Sequence, residues 1–180
     1  MIHLLPAILL ATAVEGWGVN HWGKWQSRFD KLTSFSFKTV VTLEIIQALL
    51  FLAMVLVCAL VLLQISQTFH DGRTTYRQAF TTMAHGFSPF FLAHMLNCVP
   101  MMSPWVVWGI GVMLVIWIMY QGIPRVMQPD PTHAFGLYLS TVLVMVLTSI
   151  VASGLPALYL TGHLDLQNSW LSRHLPGFFQ

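Results

Sequence analysis

Nineteen consecutive residues, Ile45 to Leu63, carry Gln47 as their only strongly polar side chain and contain neither glycine nor proline. As a helix rising about 1.5 Å per residue they reach about 28 Å, close to the ~30 Å hydrocarbon core of a bilayer. In lipid, a single segment satisfies its own backbone polar groups only as a helix. The run therefore predicts a transmembrane helix, bounded by Val40 and Ile65.

Three further stretches fit the same solvent. Ala79 to Asn97 has the length of a span but is richer in Thr, Gly, His and Phe and is interrupted by Pro89; a helix buried among others, or kinked at the proline, reads this way. Trp105 to Gln121 follows Pro104, well placed in a first helical turn, and has Trp105, Trp108, Trp117 and Tyr120 near its ends, as interfacial aromatics prefer. Ala134 to Leu155 lies between Pro131 and the pair Gly154 and Pro156. The expected fold is an all-α, polytopic transmembrane bundle with four clear spans. Charged residues make up only 8 % of the chain, against about 25 % in soluble domains.

The N-terminal stretch Ile2 to Val14 is apolar but short for a straight crossing. A retained short or re-entrant segment is favoured, with a tilted crossing through Trp17 and a cleaved signal as alternatives. The linker Gly16 to Lys38 interleaves Trp17, Trp22, Trp25 and Phe29 with Lys24, Arg28 and Lys31. On a helix, Trp22, Trp25 and Phe29 share a face, giving an amphipathic stretch along the headgroups; an ordinary connector with aromatic anchors is the plainer alternative. Three regions result: residues 1–39 as N-terminal segment and linker, 40–157 as the membrane domain, and 158–180 as an interfacial tail with Trp170, Phe178 and Phe179. Counting Lys and Arg in short flanks places the Lys-rich linker in the cytoplasm.

From about Val55 onward an ordered set of polar turns resembles the bacterial branch of the Yip1 membrane-protein family. The set begins with Phe69-His70-Asp71-Gly72-Arg73 and Thr74-Thr75-Tyr76-Arg77-Gln78-Ala79-Phe80, followed by Ala84-His85-Gly86-Phe87-Ser88-Pro89. After the next span come Tyr120-Gln121-Gly122-Ile123-Pro124-Arg125-Val126-Met127 and Pro129-Asp130-Pro131-Thr132-His133-Ala134-Phe135-Gly136. The resemblance covers about residues 40–157. It implies five membrane helices, with the turns after the second and fourth facing the cytoplasm, which puts Gly72, Arg73, Arg77 and Arg125 inside, opposite to the charge count. Pro89, Gly122, Pro124, Pro131 and Gly136 are the other turn residues that match. The first helix would then be the short Ile2 to Val14 segment. Eukaryotic relatives act in membrane traffic with small GTPases; the bacterial branch implies a fold without such a partner.

Among side chains that bear chemistry, Glu44 lies near the start of the first long span, with Gln47 on the same face. A carboxylate at this depth is either a polar membrane site or a snorkelling group at the headgroups. His85 and His94 are candidates for haem ligation, or for packing and interhelical hydrogen bonds. Nine residues at about 100° each turn them to opposite faces of a straight helix. The methionines read as gap-filling rather than copper ligands, and Cys58 and Cys98 as apolar residues. Gly109, Gly111, Ser149, Ala152 and Ser153 are small residues suited to close helix packing, within the chain or against another subunit.

No phosphate-binding loop, zinc-protease helix or nucleophile elbow is present, and the eight Lys and Arg are too scattered to follow a nucleic-acid backbone. The favoured function is a non-catalytic accessory subunit that packs against larger integral membrane subunits, with bound lipids and no resident metal or cofactor. Two alternatives stay open: a transporter or channel-like component, and a haem- or quinone-associated subunit of an electron-transfer complex. The expected location is a bacterial cytoplasmic (inner) membrane.

Overall fold

The longest helix of the computed structural model, α2 (Phe37–Phe69, 33 residues), contains the apolar run identified above and continues past both of its ends. The structure describes residues 4–25, 32–33, 36–69, 74–127 and 133–160. Besides α2 these form α1 (Leu4–Trp22), α3 (Tyr76–His94), α4 (Pro104–Met127) and α5 (Ala134–Leu160), with a 3-10 turn at Met95–Cys98 after α3. A short antiparallel pair, β1 (Lys24–Trp25) with β2 (Leu32–Thr33), lies between α1 and α2, Lys24 opposite Thr33 and Trp25 opposite Leu32.

Several hydroxyls inside these helices are satisfied by carbonyls of the preceding turn, which an apolar solvent favours. Thr12 donates to the Ile8 carbonyl at 3.1 Å, Thr82 to Gln78 at 2.9 Å and Thr148 to Val144 at 2.8 Å. Among the described residues, three helices are long and apolar enough to cross a membrane: 37–68, 104–127 and 134–156. The protein is thus an all-α polytopic membrane bundle with three clear spans, one fewer than composition led us to expect. The stretch expected as the remaining span is α3, whose polar first turn and Thr, His and Ser content keep it from qualifying on composition alone.

Burial explains why α3 is a helix all the same. It packs most extensively against α4 and also against α1 and α2, and Met83, Phe87, Phe90 and Phe91 are almost completely buried. With Phe51, Leu62, Met119 and Met145 they form the centre of the core. Gly86 and Gly111 permit the close approach of α3 and α4: an added Cβ would meet the Met119 Cε at 1.6 Å in one case and the Phe90 ring at 2.8 Å in the other.

The start of α3 is fixed by a capping box. Thr75 Oγ1 accepts from the Gln78 backbone N–H at 3.4 Å, and Gln78 Oε1 accepts from the Thr75 N–H at 2.9 Å. Replacing Thr75 by alanine removes the cap and is expected to cost about 1 kcal/mol. Chemical denaturation in detergent measures the loss; Thr75→Ser should restore most of it.

The N-terminal region differs most from expectation. Its helix does not stop near Val14 but continues to Trp22, making α1 19 residues long, or about 28 Å. Gly16 and Gly18 look like helix-ending residues in sequence, yet both lie buried against neighbouring elements. The helix ends at Gly23, whose φ of 71° favours glycine. The amphipathic helix expected across Trp22, Trp25 and Phe29 is therefore replaced by the end of α1 and the strand Lys24–Trp25; Phe29 lies outside the described residues, as does the tail beyond Leu160.

Candidate functional site: a polar cluster between the helices

Extending α1 past Val14 carries Glu15 into the interior. Glu15 is 2 % exposed and meets Gln47 of α2 and His94 at the end of α3, and Asn97 of the 3-10 turn lies against the His94 ring; these three are 2 %, 5 % and 2 % exposed. Gln47 Nε2 donates to Glu15 Oε2 at 2.9 Å, and His94 Nε2 lies 2.9 Å from the same oxygen. Gln47 Nε2 and His94 Nε2 are also in contact. Asn97 Nδ2 lies 3.3 Å from each ring nitrogen of His94.

Gln47 Nε2 and His94 Nε2 converge on one oxygen of the Glu15 side chain, so a proton lies on the His94–Glu15 contact, carried by the ring or by the acid. The ring is held by aromatic packing, with its centroid 4.9 Å from Phe51 edge-on and 6.0 Å from Phe90 in a stack. A cavity of about 10 Å³ adjoins the cluster, bordered by Pro104, Ser153 and Pro156 from α4 and α5; it has room for about one water molecule. The hydroxyl of Ser153 is buried there without a partner among the described residues.

The cluster lies near one end of the bundle. Gln47 lies ten residues into the 37–68 stretch of α2 that is apolar enough to cross a membrane, about 15 Å along the helix. Trp17 and Trp22, in the last two turns of α1, are exposed.

Glu44 and Gln47 do not form one site. Gln47 points into the cluster, whereas Glu44 borders a separate groove of about 400 Å³ between α1 and α2, lined by Leu9, Trp17, Asn20, Val41 and Ile45 among others. Its side chain covers Gly16, where an added Cβ would stand 2.8 Å from Glu44 Cγ. The sequence alone points to Glu44, near the start of a span, and not to Glu15. The available signal was periodic: Ile8, Ala11, Thr12, Glu15 and Val19 continue one helical face.

His94 is buried and His85 is exposed. The pocket beside His94 is far too small for a porphyrin, and its Nε2 is already engaged by Glu15, so the residues around it do not fit haem. Among the described residues, no group of three or more His, Cys, Asp and Glu is placed to hold a metal ion.

The small residues divide between inside and outside. Gly111 lies under Phe90, Ser149 accepts from the Trp108 indole at 3.1 Å, and Ala152 and Ser153 are buried. At Gly109, by contrast, an added Cβ would meet nothing within 4 Å, and the same holds for Gly122 and Gly136. Of the turn residues, Arg77 is exposed in the first turn of α3, Pro89 lies within α3, and Pro124 lies within the last turn of α4. Gly72, Arg73 and Pro131 lie outside the described residues.

The family model described as Yip1 domain matches residues 1–153. The match begins at residue 1 rather than near residue 40, so it includes α1 and the Glu15 side of the cluster. Neither a curated protein nor a solved structure matches the chain.

Proposed function

Because the chain belongs to the Yip1 family of integral membrane proteins, we propose that it acts as a non-catalytic accessory subunit, packing laterally against other integral membrane chains and stabilising their assembly. The observation that carries this reading is the outer surface of α4 and α5. Met113, Trp117, Tyr120 and Phe135 are 75, 67, 65 and 70 % exposed, and Gly109 and Gly136 leave open space on the same two helices. Large apolar side chains beside side-chain-free notches form a relief into which a second helix packs more closely than lipid tails do. On this reading α1 and α3 cross the bilayer with the three clear spans, in a bacterial cytoplasmic membrane, with Arg77 and Arg125 on the cytoplasmic side.

Purification in mild detergent followed by mass spectrometry tests the proposal. Stoichiometric co-elution with other integral membrane chains is expected, and Gly109→Leu should reduce it several-fold while leaving the helical content unchanged, since nothing in the chain occupies that space. Elution as a free monomer or homo-oligomer overturns it.

The buried Glu15 and His94 favour a second reading, a transporter or channel-like component, because ionisable groups at membrane depth commonly mark a path. Flux of a solute into liposomes containing only this chain is the observation that would replace the first reading with the second.

A further inference from the structure

Each of the five helices contributes a residue to the cavity of about 10 Å³ beside the polar cluster: Glu15, Gln47, His94, Pro104 and Ser153 in chain order. We infer that this cavity is a binding site for one water molecule, which joins the Ser153 hydroxyl of α5 to the polar groups of α1, α2 and α3. The site is separate from the outer surface of α4 and α5 on which the proposed function rests.

Ser153 carries the argument. The residue is 8 % exposed, yet its hydroxyl has no hydrogen-bond partner among the described residues. Thr148 and Ser149, about one turn earlier on α5, donate to the Val144 and Val146 carbonyls at 2.8 Å, the usual way for a helical hydroxyl to be satisfied by its own backbone. Ser153 borders the cavity instead. Burying a hydroxyl without a partner is strongly disfavoured, and a polar ligand in the cavity removes that penalty. Pro156 adds an acceptor on the same turn of α5. A proline has no N–H, so the buried Ala152 carbonyl, four positions earlier, receives no helical hydrogen bond from position 156.

Size and chemistry select the ligand. The volume matches about one water molecule, which needs two to four polar partners to be held. Across the cavity from Ser153 stand the carboxyl of Glu15, the amides of Gln47 and Asn97 and the imidazole of His94. This wall offers both donors and acceptors, whatever the tautomer of the ring. Water uses both kinds of group, whereas a monovalent cation could use the oxygens alone and would face the amide and ring N–H groups. Cavities that stay dry are apolar ones, and this one is not.

Thermal melts of the full chain in lipid nanodiscs test the inference. Ser153→Ala should lower Tm by about 2–5 °C relative to Ser140→Ala, because it takes a hydrogen-bond partner from the water. Ser140, also on α5, donates to the Gly136 carbonyl at 2.8 Å, so its replacement reports the gain in helix propensity from alanine. In a dry cavity Ser153→Ala relieves an unpaired hydroxyl instead, and a Tm at or above that of Ser140→Ala overturns the inference. Tm of the unmodified chain should be equal in sodium chloride and choline chloride at one ionic strength; stabilisation by sodium assigns the cavity to a cation and overturns it as well. Water-edited solid-state NMR of the chain labelled with [15N]asparagine gives the direct readout. The side-chain amide of Asn97 should receive magnetisation from water, and should lose it in Ser153→Val, whose added bulk fills the cavity. No transfer to Asn97 in the unmodified chain, with the exposed Asn20 amide as the positive control, overturns the inference without any substitution.

Discussion

Replacing His94 by leucine is expected to cost the folded bundle about 1–3 kcal/mol, the loss typical of leaving a buried polar group without its partner. His94 meets Glu15 at 2.9 Å and fills the space between Phe51 and Phe90. Leucine fills most of that space, so the penalty arises chiefly from the acid left with one partner fewer in an apolar interior. Removing the cluster entirely, in Glu15→Leu/Gln47→Leu/His94→Leu, should then cost less than His94→Leu alone, because no polar group in that trio remains to be desolvated. Unfolding in mixed detergent micelles, followed by circular dichroism, measures both. A single substitution costing under about 1 kcal/mol, the range of an exposed pair, would show that Glu15 and His94 do not interact in a buried environment.

The second large effect is expected at Gly18. An alanine there would place its Cβ 2.5 Å from the Cys98 Cα and 2.6 Å from the Cys98 carbonyl oxygen. Backbone atoms in a 3-10 turn cannot swing aside as a side chain can, so α1 must lift. A cost at or above the upper end of the roughly 1–3 kcal/mol of ordinary overpacking follows. Gly86→Ala offers the contrast, since the atom in its way is the terminal methyl of Met119, which has other rotamers. Gly109→Ala, with nothing within 4 Å, should be neutral or gain up to about 1 kcal/mol from helix propensity. Thermal melts of the three variants in one detergent should rank Gly18 lowest and Gly109 highest; any other order contradicts the packing of α1 on the 3-10 turn.

What could be read from the chain without its structure follows from how local each cause is. α2, α4 and α5 announce themselves because lipid-compatible composition is a property of consecutive residues. α3 was legible as a helix but not as the central element, because its burial depends on Phe87, Phe90 and Phe91 meeting Phe51 and Met119 from other parts of the chain. α1 runs beyond the apolar stretch that ends at Val14, through Glu15, Gly16 and Gly18, which are locally poor for a membrane helix. Each becomes favourable only through a distant neighbour: Gln47 and His94 for the acid, Glu44 for one glycine and Cys98 for the other. The same holds for the site. Gln47 and His94 stand out in sequence as polar groups in apolar company, but their common partner, Glu15, falls between the apolar segment that ends at Val14 and the linker that starts at Gly16. Of the five small residues singled out for packing, sequence could not tell Gly109, which opens outward, from Gly111 two positions later, which closes on Phe90.

The position of Glu15 in the chain has a consequence for biogenesis. The acid is synthesised before Gln47 and well before His94, so for a time α1 exists without either group that makes its carboxylate tolerable. A lone acid in the middle of a nascent helix costs about 2.5–3.5 kcal/mol at membrane insertion, enough to offset the gain from several of the leucines around it. On the proposed reading, in which α1 crosses the bilayer, α1 commits to it only when α2 and α3 have arrived, and a helix made before its partners is secured after them.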